Sequence, residues 1–289
     1  MMYLWVAILG GIAGHLVRRV TPIALKMKDT QPVFRFPWVE VSGALIFALV
    51  AHRLGVAPEQ WKWYLFTTLL LAISVSDYAT KLIPDIYTFS GTLVGIASTL
   101  LFPGDVITLL DHRMMLQSMG IPPQQTLLAG AVLGIGGAAC GFVMMEVIRR
   151  TFRGLLQMEA MGLGDSLIMM MAGAFVGPQV VFLSLLPACL IGVFTGFVYK
   201  LLFSTPHAPF GPSLSMGVLS MVLFGEWIVD TMRNYNTLLY QLPPKALIAL
   251  SLALIGVVIG LVLRMKKKAA EYERMIEEDY EKISEKLDP

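Results

Sequence analysis

Long apolar runs separated by short polar or proline-containing connections make up most of this chain. The first runs from about Met2 to Val17 and contains Gly10-x-x-x-Gly14, a spacing that lets helices approach closely. Arg18 and Arg19 follow this run, the reverse of the order in a cleaved signal peptide, so the pattern predicts a retained span with its N-terminus outside. A second span, about Trp38 to Leu54, opens after Phe36-Pro37 and carries Glu40 just inside it. An acid there either snorkels to the interface or belongs to a site. Trp61, Trp63 and Tyr64, an aromatic group suited to a membrane interface, open a third span that closes near Asp77. Pro84 suits the first turn of a fourth, ending near Leu101, with Asp85 as a first-turn charge complementing the helix dipole.

Residues 103–125 read as a proline-containing connection in which Asp111, His112 and Arg113 are solvated. A glycine-rich fifth span, about Thr126 to Ile148, carries Gly130, Gly134, Gly137 and Gly141, a packing pattern rather than a phosphate cradle because no strand precedes it. The run from Leu167 to Leu202 is too long for one crossing and predicts a tight hairpin at Gly177-Pro178. Further spans follow at about Ser213 to Thr231 and Ala246 to Leu263, and residues 266–289 form a charged tail with amphipathic helical spacing. The predicted fold is all-α: a polytopic membrane bundle of eight or nine helices over residues 1–265, with the tail cytoplasmic.

Composition agrees. Hydrophobic residues are 56% of the chain, charged ones 15%, and mean hydropathy is +0.70, whereas soluble domains carry about 25% charged residues. Cys140 and Cys189 each lie in an apolar run, with no C-x-x-C and no zinc spacing, so neither a metal nor another cofactor is expected. With the N-terminus outside, fourteen of the lysines and arginines up to residue 268 fall on the cytoplasmic side and five outside. The same assignment brings Asp77 and Asp165 to one membrane face.

Asp165 ends Met161-Gly162-Leu163-Gly164-Asp165, at the start of an apolar run. It could be an N-terminal helix cap, since Asp suits the positive end of a helix dipole. Two acids at one face also suggest a second role. Paired carboxylates can cleave a peptide, the ionised one activating water and the protonated one polarising the carbonyl. Asp165 at a helix N-terminus is then expected to be the ionised partner and Asp77, at a helix C-terminus, the proton carrier, with the pair titrating as a unit.

Asp77, Lys81-Leu82-Ile83-Pro84-Asp85 and Gly162-Leu163-Gly164-Asp165 together resemble the type IV prepilin peptidases, polytopic aspartic proteases with a G-x-G-D motif. Phe36-Pro37-x-x-Glu40 and Ala208-Pro209-Phe210-Gly211-Pro212 are similar to two further elements of that family, in the same order. The resemblance implies removal of a basic leader from type IV prepilins or pseudopilins at the cytoplasmic face of a bacterial inner membrane, with membrane lipid as surroundings and no nucleic acid. It implies catalytic roles for Asp77 and Asp165, passage of substrate backbone beside Gly162 and Gly164, and supporting roles for Glu40, Lys81 and Pro84. Two departures bear on activity. The connection between the first two spans is short and cysteine-free, so a zinc site and N-methylation of the product are not expected. Leu167 stands where the family usually has Lys, leaving the helix dipole or Lys81 to stabilise Asp165. The rival readings are a presenilin-like protease, an ion- or proton-coupled transporter, and an inactive homologue.

Overall fold

The computed structural model describes residues 2–25, 37–57, 60–122, 126–156, 161–203 and 209–240, with isolated positions from 256 to 267. Every regular element among them is a helix. In order they are α1 (Met2–Ala24), α2 (Trp38–Leu54), α3 (Trp61–Thr80), α4 (Asp85–Leu101), α5 (Gly104–Thr108), α6 (His112–Ser118), α7 (Thr126–Leu156), α8 (Leu163–Leu183), α9 (Leu185–Phe203) and α10 (Gly211–Tyr240), with a single 3-10 turn, Leu109–Asp111, before α6. The span expected from Ala246 and the tail lie outside the described residues, apart from those isolated positions.

Among the described residues four stretches, 2–24, 127–155, 163–183 and 211–234, are long and apolar enough to cross a membrane. The 17-residue helices α2 and α4 reach only about 25 Å at 1.5 Å per residue, below the roughly 30 Å of a hydrocarbon core. Helix α2 begins and ends where the apolar pattern places it. Helix α1 runs on to Ala24 and takes Arg18 and Arg19 into the helix rather than leaving them behind it.

Small residues set the close crossings. Gly10 and Gly14 of α1 lie against the backbone of α2 at Gly43 and Val39, where a Cβ would overlap a carbonyl oxygen. Gly137 of α7 and Gly173 of α8 meet in the same way, each facing the other's carbonyl. Lipid tails are as apolar as leucine, so such contacts are held by dispersion and dipoles at close range. The reversal at Gly177-Pro178 is present. Gly177 adopts φ 81°, ψ 171°, a conformation that favours glycine, and Gly141 is flanked by Met169 on one limb and Val181 on the other. Helix α4 packs on the first limb: Thr99 Oγ1 donates to the Ala174 carbonyl at 2.9 Å, and Gly95 receives Phe175.

Two expectations fail for the same reason, burial supplied by distant partners. Residues 103–125 are not simply a solvated connection. Val106, Ile107 and Leu116 pack with Ala129 and Leu133 of α7, and His112 is fully buried against Gly177. The aromatic group at the start of α3 is likewise divided. Trp61 is exposed, but Trp63 is buried edge-on to Phe66, whose ring stacks on Phe175 at 4.7 Å. Lys62 is buried beside it, paired with Asp105 at 3.1 Å and donating to the Phe102 carbonyl at 3.0 Å.

Internal contacts divide the chain into two units. One comprises Met1–Glu146 and Leu163–Ile228; the other comprises Val147–Gly162 and Val229–Pro289. The first holds both aspartates and everything described in the next section except Gly162.

Candidate active site

Asp77 lies in the last turn of α3, and its side chain is 6% exposed. Helix α3 stops at Lys81, which takes a left-handed conformation (φ 56°, ψ 24°) and returns its N–H to the Asp77 carbonyl at 2.8 Å. A non-glycine residue in that region carries local strain, which the fold sustains here beside a buried acid. The Lys81 side chain is exposed, with its charge within electrostatic reach of Asp77. The chain then turns through Leu82 and Ile83, pinned by Ser76 Oγ donating to the Leu82 carbonyl at 2.7 Å. Pro84 is buried, with extended backbone just before α4, one position earlier than the first turn expected for it.

Asp165 sits in the first turn of α8 and is 8% exposed. Gly164, beside it, faces the turn that follows Asp77: a Cβ there would lie 2.7 Å from Ile83 Cδ1. Its missing side chain makes room for Ile83. Gly162 is exposed and belongs to the second unit.

The third component is Gly211, to which the sequence reading gave no role. It begins α10, and its N–H donates to Asp77 Oδ2 at 2.8 Å. A Cβ on Gly211 would lie 2.7 Å from that oxygen and 3.1 Å from Cγ, so only glycine brings the amide this close. The position is fixed from α9, where Gly192 seats the Phe210 ring, Thr195 Oγ1 and Ser213 Oγ are 3.0 Å apart, and Ala188 meets Gly217. The signal was the Pro209-Phe210-Gly211-Pro212 stretch itself, a glycine flanked by rigid residues at a helix start. A second helix terminus therefore acts on Asp77, and the α3 dipole alone does not divide the roles of the two acids.

Glu40 is engaged elsewhere. Its Oε1 accepts from Arg18 at 2.8 Å and lies 3.1 Å from His15 Nδ1, both on α1, so it ties α2 to α1. An apolar cavity of about 220 Å³ adjoins the Asp77 end of α3, lined by Trp38, Val39, Leu71, Val75, Tyr78 and Pro212 among others. Among the described residues no group of three or more His, Cys, Asp or Glu comes together as metal ligands would.

The geometry is that of two buried carboxylates on neighbouring helix ends, one held by a backbone amide, with an apolar groove alongside. Comparison with known proteins covers part of this site. The model of the type IV leader peptidase family matches residues 64–197, which include both aspartates. A prepilin leader peptidase/N-methyltransferase of Pseudomonas putida is 29% identical over 198 residues, 67% of this chain and 60% of that protein. The enzyme of the same name from Pseudomonas aeruginosa is 27% identical over 200 residues, 68% and 61% of the two chains. A type 4 prepilin-like proteins leader peptide-processing enzyme of Escherichia coli is 28% identical over 194 residues, 65% of this chain and 61% of that one. The matched stretch thus spans about three-fifths of each relative's length. No solved structure matches the chain. Over residues 64–197, then, this chain is similar to the type IV leader peptidase family.

Proposed function

We propose that the protein is a membrane-embedded aspartic endopeptidase that removes the basic leader from type IV prepilins or pseudopilins at the cytoplasmic face of a bacterial inner membrane. The observation that carries this reading is the burial of Asp77 and Asp165, both inside the family-matched segment, at the ends of α3 and α8. The relatives named as leader peptidases support the substrate class. Eight or nine spans, an outside N-terminus and a cytoplasmic tail complete the reading, supported by the distribution of basic residues.

The chemistry follows from paired acids. An ionised carboxylate takes a proton from water as the water oxygen attacks the scissile carbonyl carbon, while the protonated partner gives its proton to the carbonyl oxygen. Collapse of the tetrahedral intermediate transfers a proton to the leaving amine, breaks the C–N bond and returns the pair to its one-proton state. The dipole argument gives the resting negative charge to Asp165 and the proton to Asp77; the Gly211 amide on Asp77 is a further field on the pair. Isotope-edited infrared spectra of the two carboxyls would settle the assignment, and a protonated Asp165 beside an ionised Asp77 would reverse it. The apolar cavity beside Asp77 would receive the apolar stretch that follows the leader, presenting the cleavage site at the membrane edge. N-methylation is not part of this reading, because the connection after the first span carries no cysteine pairs.

The test is cleavage of a basic-leader prepilin by the purified chain, read by mass spectrometry. Asp77→Ala and Asp165→Ala should each lower the rate by at least about 10²–10⁴-fold, the range for losing a positioned acid or base. Cleavage that survives either change would exclude the paired mechanism. A product 14 Da heavier than the trimmed pilin would restore methylation.

A further inference from the structure

The end of α3 away from the aspartates holds a second candidate site. Trp63 and Asp77 share α3, with about 21 Å of helix between them. At the Trp63 end a cavity of about 340 Å³ is lined by Arg53, Gln60, Trp63, Asp105, Thr108 and Glu226, with Leu110 and Gly225 completing its wall. That volume falls within the roughly 300–1,000 Å³ of small-ligand sites.

Three kinds of observation mark it as built. The first is unmet hydrogen bonding. Trp63 Nε1 and Gln60 Oε1 are buried without a hydrogen-bond partner among the described residues, although buried polar atoms are nearly always paired. The second is backbone geometry. Leu110 holds φ 50°, ψ 32°, a region costly for a branched side chain, and α10 leaves helical geometry at Phe224 (φ −131°, ψ 16°). Arg53 Nε donates to the carbonyl of Leu223 beside that break, at 2.6 Å. The third is charge. The other N–H groups of Arg53 have no partner among the described residues, Glu226 is exposed, and Asp105 is held by Lys62.

These walls offer two things at once. The exposed Arg53 and the buried Trp63 indole N–H can hold an anionic acceptor; the exposed Glu226 and the buried Gln60 Oε1 can accept from a cationic donor. A phosphodiester joined to a primary ammonium supplies both. We propose that this cavity binds a phosphoethanolamine headgroup. On the orientation proposed above it opens at the outer face, where such a group arrives either as phosphatidylethanolamine or in soluble glycerophosphoethanolamine. A phosphatidylglycerol headgroup lacks the cation, and the quaternary ammonium of phosphatidylcholine cannot donate a hydrogen bond.

The test is native mass spectrometry of the full chain in detergent, with phosphatidylethanolamine, phosphatidylglycerol or phosphatidylcholine added to the micelles. Phosphatidylethanolamine should be retained over both others. Arg53→Ala and Glu226→Gln should each weaken that retention about tenfold, the worth of one charge-assisted hydrogen bond. Because Arg53→Ala also uncaps the Leu223 carbonyl, Glu226→Gln, at an exposed side chain, carries the test if the arginine variant unfolds. Selective binding displaced by glycerophosphoethanolamine assigns recognition to the headgroup alone; selective binding that resists displacement assigns it to the intact lipid. Equal retention of the three lipids, or Glu226→Gln binding like the unsubstituted chain, would overturn the proposal. The readout does not depend on proteolysis, so the two proposals fail separately.

Discussion

The two ends of α3 each bury an ionisable group, and they surround it differently. Near the start, the Lys62 ammonium meets a carboxylate, a backbone carbonyl and the Trp63 ring face at 5.3 Å. Near the end, the Asp77 carboxylate has one hydrogen bond among the described residues, from Gly211. A buried ion costs several kcal/mol to desolvate unless its surroundings replace water. Lys62 has that replacement nearly complete, as a structural charge should. Asp77 keeps lone pairs uncommitted, as the proton exchange proposed for it requires. The comparison teaches that burial alone does not distinguish a structural charge from a reactive one; the number of committed partners does.

The contrast can be tested from either end. The largest effect expected after loss of an aspartate is that of Gly211→Ala. Its Cβ would force α10 away from Asp77, and a displacement of about 1 Å can cost about 10²-fold in rate. The prepilin cleavage assay should show that loss with the unfolding midpoint little changed; an unaffected rate would mean the amide has no part in holding Asp77. Lys62→Met should do the opposite. Breaking a buried pair costs about 3–5 kcal/mol, and since Asp105 is 30% exposed and can be rehydrated, about 3 kcal/mol is the upper expectation. Unfolding in a denaturing detergent should shift accordingly, while cleavage per folded molecule stays the same. Asp105→Asn should be milder, since an amide oxygen can still accept from Lys62. Smallest of all, Glu40→Gln should move cleavage by only a few-fold, because an amide can still accept from Arg18 and such a partly exposed contact is worth about 1 kcal/mol. A complete loss of cleavage in that variant would draw Glu40 back toward the site.

What was legible in the sequence divides along the same line. Apolar runs located α2 to the residue and the reversal at Gly177, because membrane length and glycine geometry are local properties of the chain. The two acids stood out because a charge in an apolar run is conspicuous wherever the chain goes. The role of Gly211 was hidden, since nothing between residues 77 and 211 says that the start of α10 will rest on the end of α3. The burial of Lys62 was hidden because its partner is 43 positions away, in a stretch that reads as solvated loop. The small helices between 104 and 118 were missed for the same reason: their apolar positions are few, and the surface that covers them comes from α7. Glu40 lies in the first turn of α2, where the sequence places it, but its partners on α1 could not be read from the local pattern.

The crossing of α7 and α8 has a consequence for which substitutions the chain can accept. Gly137 and Gly173 place backbone against backbone, each facing the other's carbonyl oxygen. A methyl group at either position would run into that oxygen, so the two helices would have to part. The limb that carries Asp165 is therefore held to α7 by a contact that a single added carbon would open.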